Sequence, residues 1–215
     1  VIETASWKEL PDAILLSWQT GQQGGAAVAE LLRGTVNPSG KLPVSYPVSY
    51  ADVPSSKSFP GIPADLPVNS YYNEGVYIGY RYYTTYDVPV SYPFGYGLSY
   101  STFEYGSLEA RQSGDNVLEV SCRIRNTSDR EGDEVVQLYI SDMVASTVRP
   151  PRQLGGFRRI RLAPGEQRQV SFTLGDEALA LIDPQGRRVV EKGDFVIAVG
   201  SSSQDIRLQT TVTLE

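Results

Sequence analysis

Histidine is absent from the 215 residues, and cysteine and methionine occur once each, as Cys122 and Met143. The first absence removes Ser-His-Asp catalysis, imidazole general bases and histidine metal ligands from this chain. A lone cysteine excludes an intrachain disulfide and a cysteine-based zinc site. Its alternation with Val120 and Ile124 puts Cys122 on the buried face of a strand, with a reactive thiol as the lesser reading. Basic charge is in short supply: 19 Lys and Arg stand against 25 Asp and Glu, for a net charge of -6. No nucleic-acid partner is therefore expected, because that binding needs a basic surface to displace counterions. The arginines from Arg149 to Arg161 form a local cluster, read as the solvated face of a strand ahead of a phosphate site. No run approaches the ~20 apolar residues that span a bilayer, and no signal peptide is visible, so no membrane partner is expected. No oxygen-rich loop has calcium-site spacing. The chain opens on Val1 rather than methionine. It is expected to be a processed chain, a fragment or an engineered length of a longer one.

What is present divides into three parts. Ala13-Ile14-Leu15-Leu16-Ser17-Trp18 is a short continuous apolar run, as in a parallel strand buried on both faces. Gly21 to Gly25 makes a turn, and Ala26 to Leu32 has helical composition closed by Gly34. Strand, glycine turn and helix make half of a βαβ unit. One strand and one helix cannot close a parallel sheet. Leaving the apolar side chains of Ala13 to Trp18 in water forfeits ~1.5–3 kcal/mol each. That sum is comparable with the ~5–15 kcal/mol net stability of a domain. Residues 1–70 are therefore expected to need strands supplied from elsewhere. Within them, Val44 to Ser70 reads as an irregular, ordered loop.

Residues 71–103 are dense in tyrosine and glycine. Every tyrosine but Tyr139 lies between Tyr46 and Tyr105. This segment reads as extended chain pinned by its rings between two structural units. From 104 to 215 short alternating runs take over: Asn116 to Arg125, Glu134 to Ile140, Gln167 to Leu174, Phe195 to Val199 and Ile206 to Leu214. Period-two strands at regular spacing predict an antiparallel β-sandwich of about seven strands, of immunoglobulin-like type.

Several motifs, taken in order, resemble one family. They are the Trp18/Gly21–Gly25 element, Leu31 to Gly34 with Asn37-Pro38-Ser39-Gly40-Lys41-Leu42-Pro43, Glu74-Gly75 with Gly79-Tyr80-Arg81-Tyr82-Tyr83, and Phe94-Gly95-Tyr96-Gly97-Leu98-Ser99-Tyr100. Val135 to Asp142, Gln153 to Phe157 and Leu162 to Glu166 follow. Together they resemble the C-terminal part of glycoside hydrolase family 3, the family of many β-glucosidases and β-xylosidases. The resemblance implies the C-terminal fragment of an α/β sandwich domain followed by a fibronectin type III-like β-sandwich. It implies a β-glucoside or oligosaccharide substrate and no cofactor. It also implies a partner: the N-terminal barrel and α/β portion of the same enzyme, as a separate or cleaved chain, carrying both catalytic carboxyl groups. No catalytic residue is expected in this chain.

The remaining candidates are weighed residue by residue. Trp18 sits at the expected C-terminal end of a parallel strand, where open α/β sheets place ligands, and is the candidate substrate-binding residue. Packing under the following helix is the readier reading. Glu74 is expected to be structural, bonding to backbone or pairing with Arg81. The Gly21–Gly25 turn lacks the order of a phosphate loop. Asn126-Thr127-Ser128 is a formal glycosylation sequon in an expected surface turn. Two readings compete with the glycosidase one, a carbohydrate-binding module and a structural sandwich. The first is disfavoured because Phe103, Tyr105, Tyr139, Phe157, Phe172 and Phe195 mostly fit inward positions. The second leaves the appended strand–turn–helix unexplained.

Overall fold

The alternation after Phe103 produces seven long strands. In the computed structural model, which describes residues 2–63, 65–66 and 68–215, these are preceded by a short-element region. Val1 and two positions of the 44–70 loop, Ala64 and Pro67, lie outside the described residues. The N-terminal region holds helix α1 (Gly24–Leu32), a two-residue strand β1 (Tyr46–Pro47), 3-10 turns at Tyr50–Asp52 and Pro54–Lys57, helix α2 (Tyr80–Thr85) and strand β2 (Val90–Tyr92). Then come β3 (Phe103–Gly114), β4 (Val117–Asn126), β5 (Gly132–Asp142), β6 (Gln153–Leu162) and β7 (Gln167–Leu174). A short helix α3 (Asp176–Leu179), a small hairpin of β8 (Leu181–Ile182) and β9 (Arg188–Val189), β10 (Gly193–Gly200) and β11 (Ile206–Leu214) complete the chain.

The seven long strands form two antiparallel sheets, ordered β11-β10-β5-β6 and β3-β4-β7. Period-two side chains from both sheets meet between them. Leu118, Val120, Cys122 and Ile124 of β4 pack with Val136, Leu138 and Ile140 of β5 and Phe195, Ile197 and Val199 of β10, all buried in one cluster. Asn116, at φ 55, turns β3 into β4 in the left-handed region that asparagine tolerates. Burial pushes the Cys122 thiol up to about 11, so the lone cysteine is an inert core residue.

Of the arginine cluster, Arg158, Arg159 and Arg161 lie on β6 while Arg149 and Arg152 precede it. Arg159 and Arg161 both pair with Asp133, at 2.5 and 2.9 Å, and Arg149 pairs with Asp142 at 2.9 Å. Arg158 lies over the Phe172 ring.

Two expectations are corrected. Ala13 to Trp18 forms no strand, and every residue from Pro11 to Thr20 is exposed. A strand buried on both faces needs a neighbour on each edge to bond its backbone, and no described residue supplies one. The tyrosine segment is not uniformly extended. Tyr82 and Tyr86, four apart, bring their rings to 5.1 Å, and the Thr85 hydroxyl donates to the Arg81 carbonyl at 2.6 Å. Aromatic side chains at that spacing meet on one helix face, which wins over their extended preference.

α1 ends as expected at Gly34, φ 72. The Gly34 and Thr35 amides donate to the Leu31 and Glu30 carbonyls, which closes the last turn in a Schellman motif.

Candidate functional site

The outer face of the four-stranded sheet is where the chain's two halves meet. Along β5, Val136, Leu138 and Ile140 face the core, so Gln137 and Tyr139 point the other way. Both are buried nonetheless, at 3% and 0% exposure. What covers them is the tyrosine-rich segment. The Tyr80 ring stacks on Phe94 at 4.8 Å and meets Tyr139 edge-on at 6.1 Å. The Leu154 amide of β6 donates to the Tyr80 hydroxyl at 2.8 Å. Tyr139 donates to Gln137 Oε1 at 2.6 Å, and Gln137 Nε2 donates to the Gly95 and Ser201 carbonyls at 3.1 and 2.6 Å. Burial pushes the Tyr139 hydroxyl pKa up, so the ring enters this network as a neutral donor. Gly95 has φ 81, and a Cβ there would run into the Gln137 amide. Only glycine satisfies both conditions.

A second set of contacts ties the Asn37–Pro43 segment to the start of β5 and to the Tyr96–Ser101 stretch. Asn37 Nδ2 donates to Ser101 Oγ and to the Glu131 carbonyl, at 2.8 and 2.9 Å. Its Oδ1 accepts from Ser99 Oγ and the Tyr100 amide, at 2.9 and 2.8 Å. One side chain thus uses its full donor and acceptor capacity to join three stretches of chain. Lys41 Nζ donates to the Gly97 carbonyl at 2.9 Å and pairs with Glu134 at 3.3 Å, with both side chains largely buried. Removing one partner of such a pair strands the other charge, at about 3–5 kcal/mol. The Leu42 amide donates to the Tyr96 carbonyl and the Gly95 amide to the Leu42 carbonyl, both at 2.8 Å.

This arrangement holds two units together. Each carboxyl group whose pKa is displaced is displaced downward: Glu3 by Ser6, Glu166 by the Ala163 amide, Asp183 by the Arg187 amide, Glu191 by Ser146 and Asp205 by Arg207. Among the described residues no group of three or more His, Cys, Asp or Glu is placed to hold a metal ion.

Glu74 makes no ion pair with Arg81, contrary to expectation; both line a cavity near the joint. Trp18 is 54% exposed, has φ 52 and lies outside that cavity. Asn126 is not in a surface position: it is 0% exposed. Its Nδ2 donates to the Arg130 and Leu162 carbonyls, and its Oδ1 accepts from Ser128. The sequon is consumed by the fold.

In the sequence, Asn37, Lys41 and Tyr80 stood inside motifs without an individual role, and Glu134 and Gln137 stood only as strand positions. One signal was there for Gln137: a lone polar residue within the continuous run Val135 to Ile140 marks a strand covered on both faces.

Comparison with known proteins places this geometry. Residues 1–100 match the glycosyl hydrolase family 3 C-terminal domain, and residues 134–203 match a fibronectin type III-like domain. A β-glucosidase of Bacteroides ovatus is 42% identical over 216 residues, which cover 97% of this chain and 28% of that protein. The chain belongs to glycoside hydrolase family 3. Within the family it is 41% identical to an exo-α-(1→6)-L-arabinopyranosidase of Bifidobacterium breve, over 100% of this chain and 28% of that protein. The solved structure of β-glucosidase 3B from Thermotoga neapolitana in complex with glucose superposes with a TM-score of 0.93 at 44% identity, over 99% of this chain and 30% of that one. These family 3 relatives carry the matched region inside one longer chain, and this chain spans less than a third of each.

Proposed function

We propose that this chain is the C-terminal portion of a retaining β-glucosidase that removes terminal non-reducing β-D-glucosyl residues. The observation that carries the reading is the match to the family 3 C-terminal domain over residues 1–100. Retaining hydrolysis uses two carboxyl groups about 5–5.5 Å apart. One attacks the anomeric carbon while the other protonates the departing oxygen, and water then releases the sugar. This double displacement calls for neither metal nor organic cofactor. In our reading both carboxyl groups belong to a preceding portion, a barrel with the earlier part of the α/β domain. Residues 1–70 complete that α/β domain, residues 71–103 connect it, and residues 104–215 form the sandwich that anchors it. Trp18 is the side chain of this part that we set against the sugar. Its exposed ring and left-handed backbone, uncommon for a bulky residue, support that role.

The test is hydrolysis of p-nitrophenyl β-D-glucoside by the full-length protein, by this chain alone, and by this chain mixed with the preceding portion. The first and third are expected to be active and the second inert. Activity of the chain alone would overturn the placement of the carboxyl groups. A larger kcat/KM on the β-D-xyloside or the α-L-arabinopyranoside would replace the sugar and leave the division of labour intact.

A further inference from the structure

The C-terminal end of α1 is held from outside the helix. Of its nine residues only Gly24 is buried, and its last turn carries no basic side chain. Arg130, on the turn from β4 to β5, donates from Nη2 to the Gly34 carbonyl at 2.5 Å. The same guanidinium lies over the Tyr100 ring at 5.4 Å, and the Tyr100 hydroxyl donates to the Leu31 carbonyl at 2.9 Å. A cation and a donor there satisfy carbonyls that the helix leaves free and complement its dipole. Arg130 is itself fixed: its carbonyl accepts from Asn126 Nδ2 at 2.7 Å and from Ser101 Oγ at 2.9 Å. The buried asparagine of the sequon thus anchors a clasp between sandwich and helix. At the other end of α1, about 13 Å along its axis, lies the turn that carries Trp18. The Gly24 amide donates to the Gly21 carbonyl at 3.0 Å, and a Cβ on Gly24 would run into the Thr20 side chain. The turn therefore moves with the helix.

We infer that Arg130 is a positioning residue: acting through α1, it sets where the Trp18 ring stands and so how tightly the sugar is held. The inference rests on the reading that Trp18 faces the sugar. Arg130 touches no substrate on this route. A helix shorter than ~12–15 residues is marginal by itself, so a tie lost at one end is felt at the other. The Arg130 side chain is exposed, which keeps the tie modest. Its loss bears on the placement of an aromatic contact and not on the carboxyl groups that do the chemistry. KM should therefore move while kcat holds.

The experiment uses the full-length protein. Arg130→Met keeps the stem and removes the charge and its donors, and Arg130→Lys restores a charged donor. Tyr100→Phe, which removes only the hydroxyl bonded to Leu31, serves should Arg130→Met fail to fold. Exchange at the Gly24 and Ala27 amides, at the far end of α1, is expected to quicken about fivefold in Arg130→Met and about threefold in Tyr100→Phe. KM for p-nitrophenyl β-D-glucoside is expected to rise by about the same factors with kcat unchanged, and Arg130→Lys should recover most of both effects. In a Trp18→Ala background Arg130→Met is expected to leave KM alone, because the ring it positions is gone. Unchanged exchange at Gly24 and Ala27 would overturn the inference. So would a fall in kcat at constant KM, or Arg130→Met and Trp18→Ala effects on KM that multiply. A parent protein inactive on every glycoside defeats the proposed function, whatever exchange shows. An active parent whose Gly24 exchange ignores Arg130 defeats the positioning role alone.

Discussion

Asn37 is the sharpest place to test the joint. Its amide makes four hydrogen bonds, to Ser101, Glu131, Ser99 and Tyr100, at 2.8–2.9 Å. Each is worth about 0.5–1.5 kcal/mol net, which would sum to roughly 2–6 kcal/mol if additive. The bonds to Glu131 and Tyr100 are solvent-exposed, so their partners recover water in a truncated variant, and the lower part of that range applies. Asn37→Ala is expected to weaken the joint by about 2–3 kcal/mol. At 1.4 kcal/mol per tenfold, native-state exchange of the Leu42 and Gly95 amides, which bond across the joint, should quicken about 30- to 150-fold. The Gly186 amide, in a turn on the small β8–β9 hairpin, should not change. Asn37→Asp separates donor from acceptor. It keeps both acceptor bonds but sets a carboxylate oxygen against the Glu131 carbonyl, so at neutral pH it should cost at least as much as alanine. That carboxylate is disfavoured when folded, so its folded pKa is raised. Stability is then retained below the unfolded value, ~3.9, and lost as pH rises through the folded one. Less than a threefold change in Asn37→Ala would refute the claim that this side chain holds the joint.

Other positions test separate parts of the reasoning. Gly97→Ala would drive a Cβ into the Gly40 carbonyl oxygen, whereas a Cβ at Gly40 meets nothing. Thermal melts should show a loss of about 1–3 kcal/mol for the first and a change within about 0.5 for the second; equal melts would count against the close approach. Tyr105 carries a buried hydroxyl without a partner among the described residues, and Tyr105→Phe should be neutral or stabilising by about 1 kcal/mol in denaturant unfolding. A loss of that size would mean the hydroxyl is bonded. Cys122, its thiol pushed up to about 11, should resist a thiol reagent at pH 8 in the folded chain and react once in urea. Its share of stability is present below the unfolded value, ~8.5, and is lost between there and about 11.

How legible the fold was depended on where each element sits. Gln167–Leu174 and Ile206–Leu214 were readable to the residue, because apolar and polar positions alternate between clear turn signals. β6 was not, because glycines and arginines interrupt its alternation and only Leu162 is buried. β3 was passed over for a related reason: no residue from Phe103 to Gly114 is buried, so its core-facing side shows only half-covered positions. Ala13 to Trp18 had the composition of a buried strand but not the neighbours, and pairing is not a local property. The joint was hidden for the same physical cause. Asn37 and Gln137 are unremarkable polar residues until partners 62 to 94 positions away for the first, and 42 and 64 away for the second, are brought to them.

Those long-range contacts also decide between an integral sandwich and an appended carbohydrate-binding module. A binding module keeps a face of aromatic rings free for sugar. Here Tyr139, Phe172 and Phe195 are buried, Phe103 and Tyr105 are half-buried against the core, and only Phe157 of the six is exposed. The face that such a module would present, the outer side of β5, is the one closed by Tyr80, Phe94 and Gly95. Glu134 on that strand is largely buried with Lys41 from the N-terminal half, so detaching the halves would leave both charges without their partner. Detachment returns both charges to water, so what separation gives up is mainly the Asn37 and Gln137 bonds and the packing of Tyr80 and Phe94 on Tyr139. A substitution on the sandwich's outer face should show up as lost glycosidase activity in the full-length protein, through the position of residues 1–70, without any contact to the sugar.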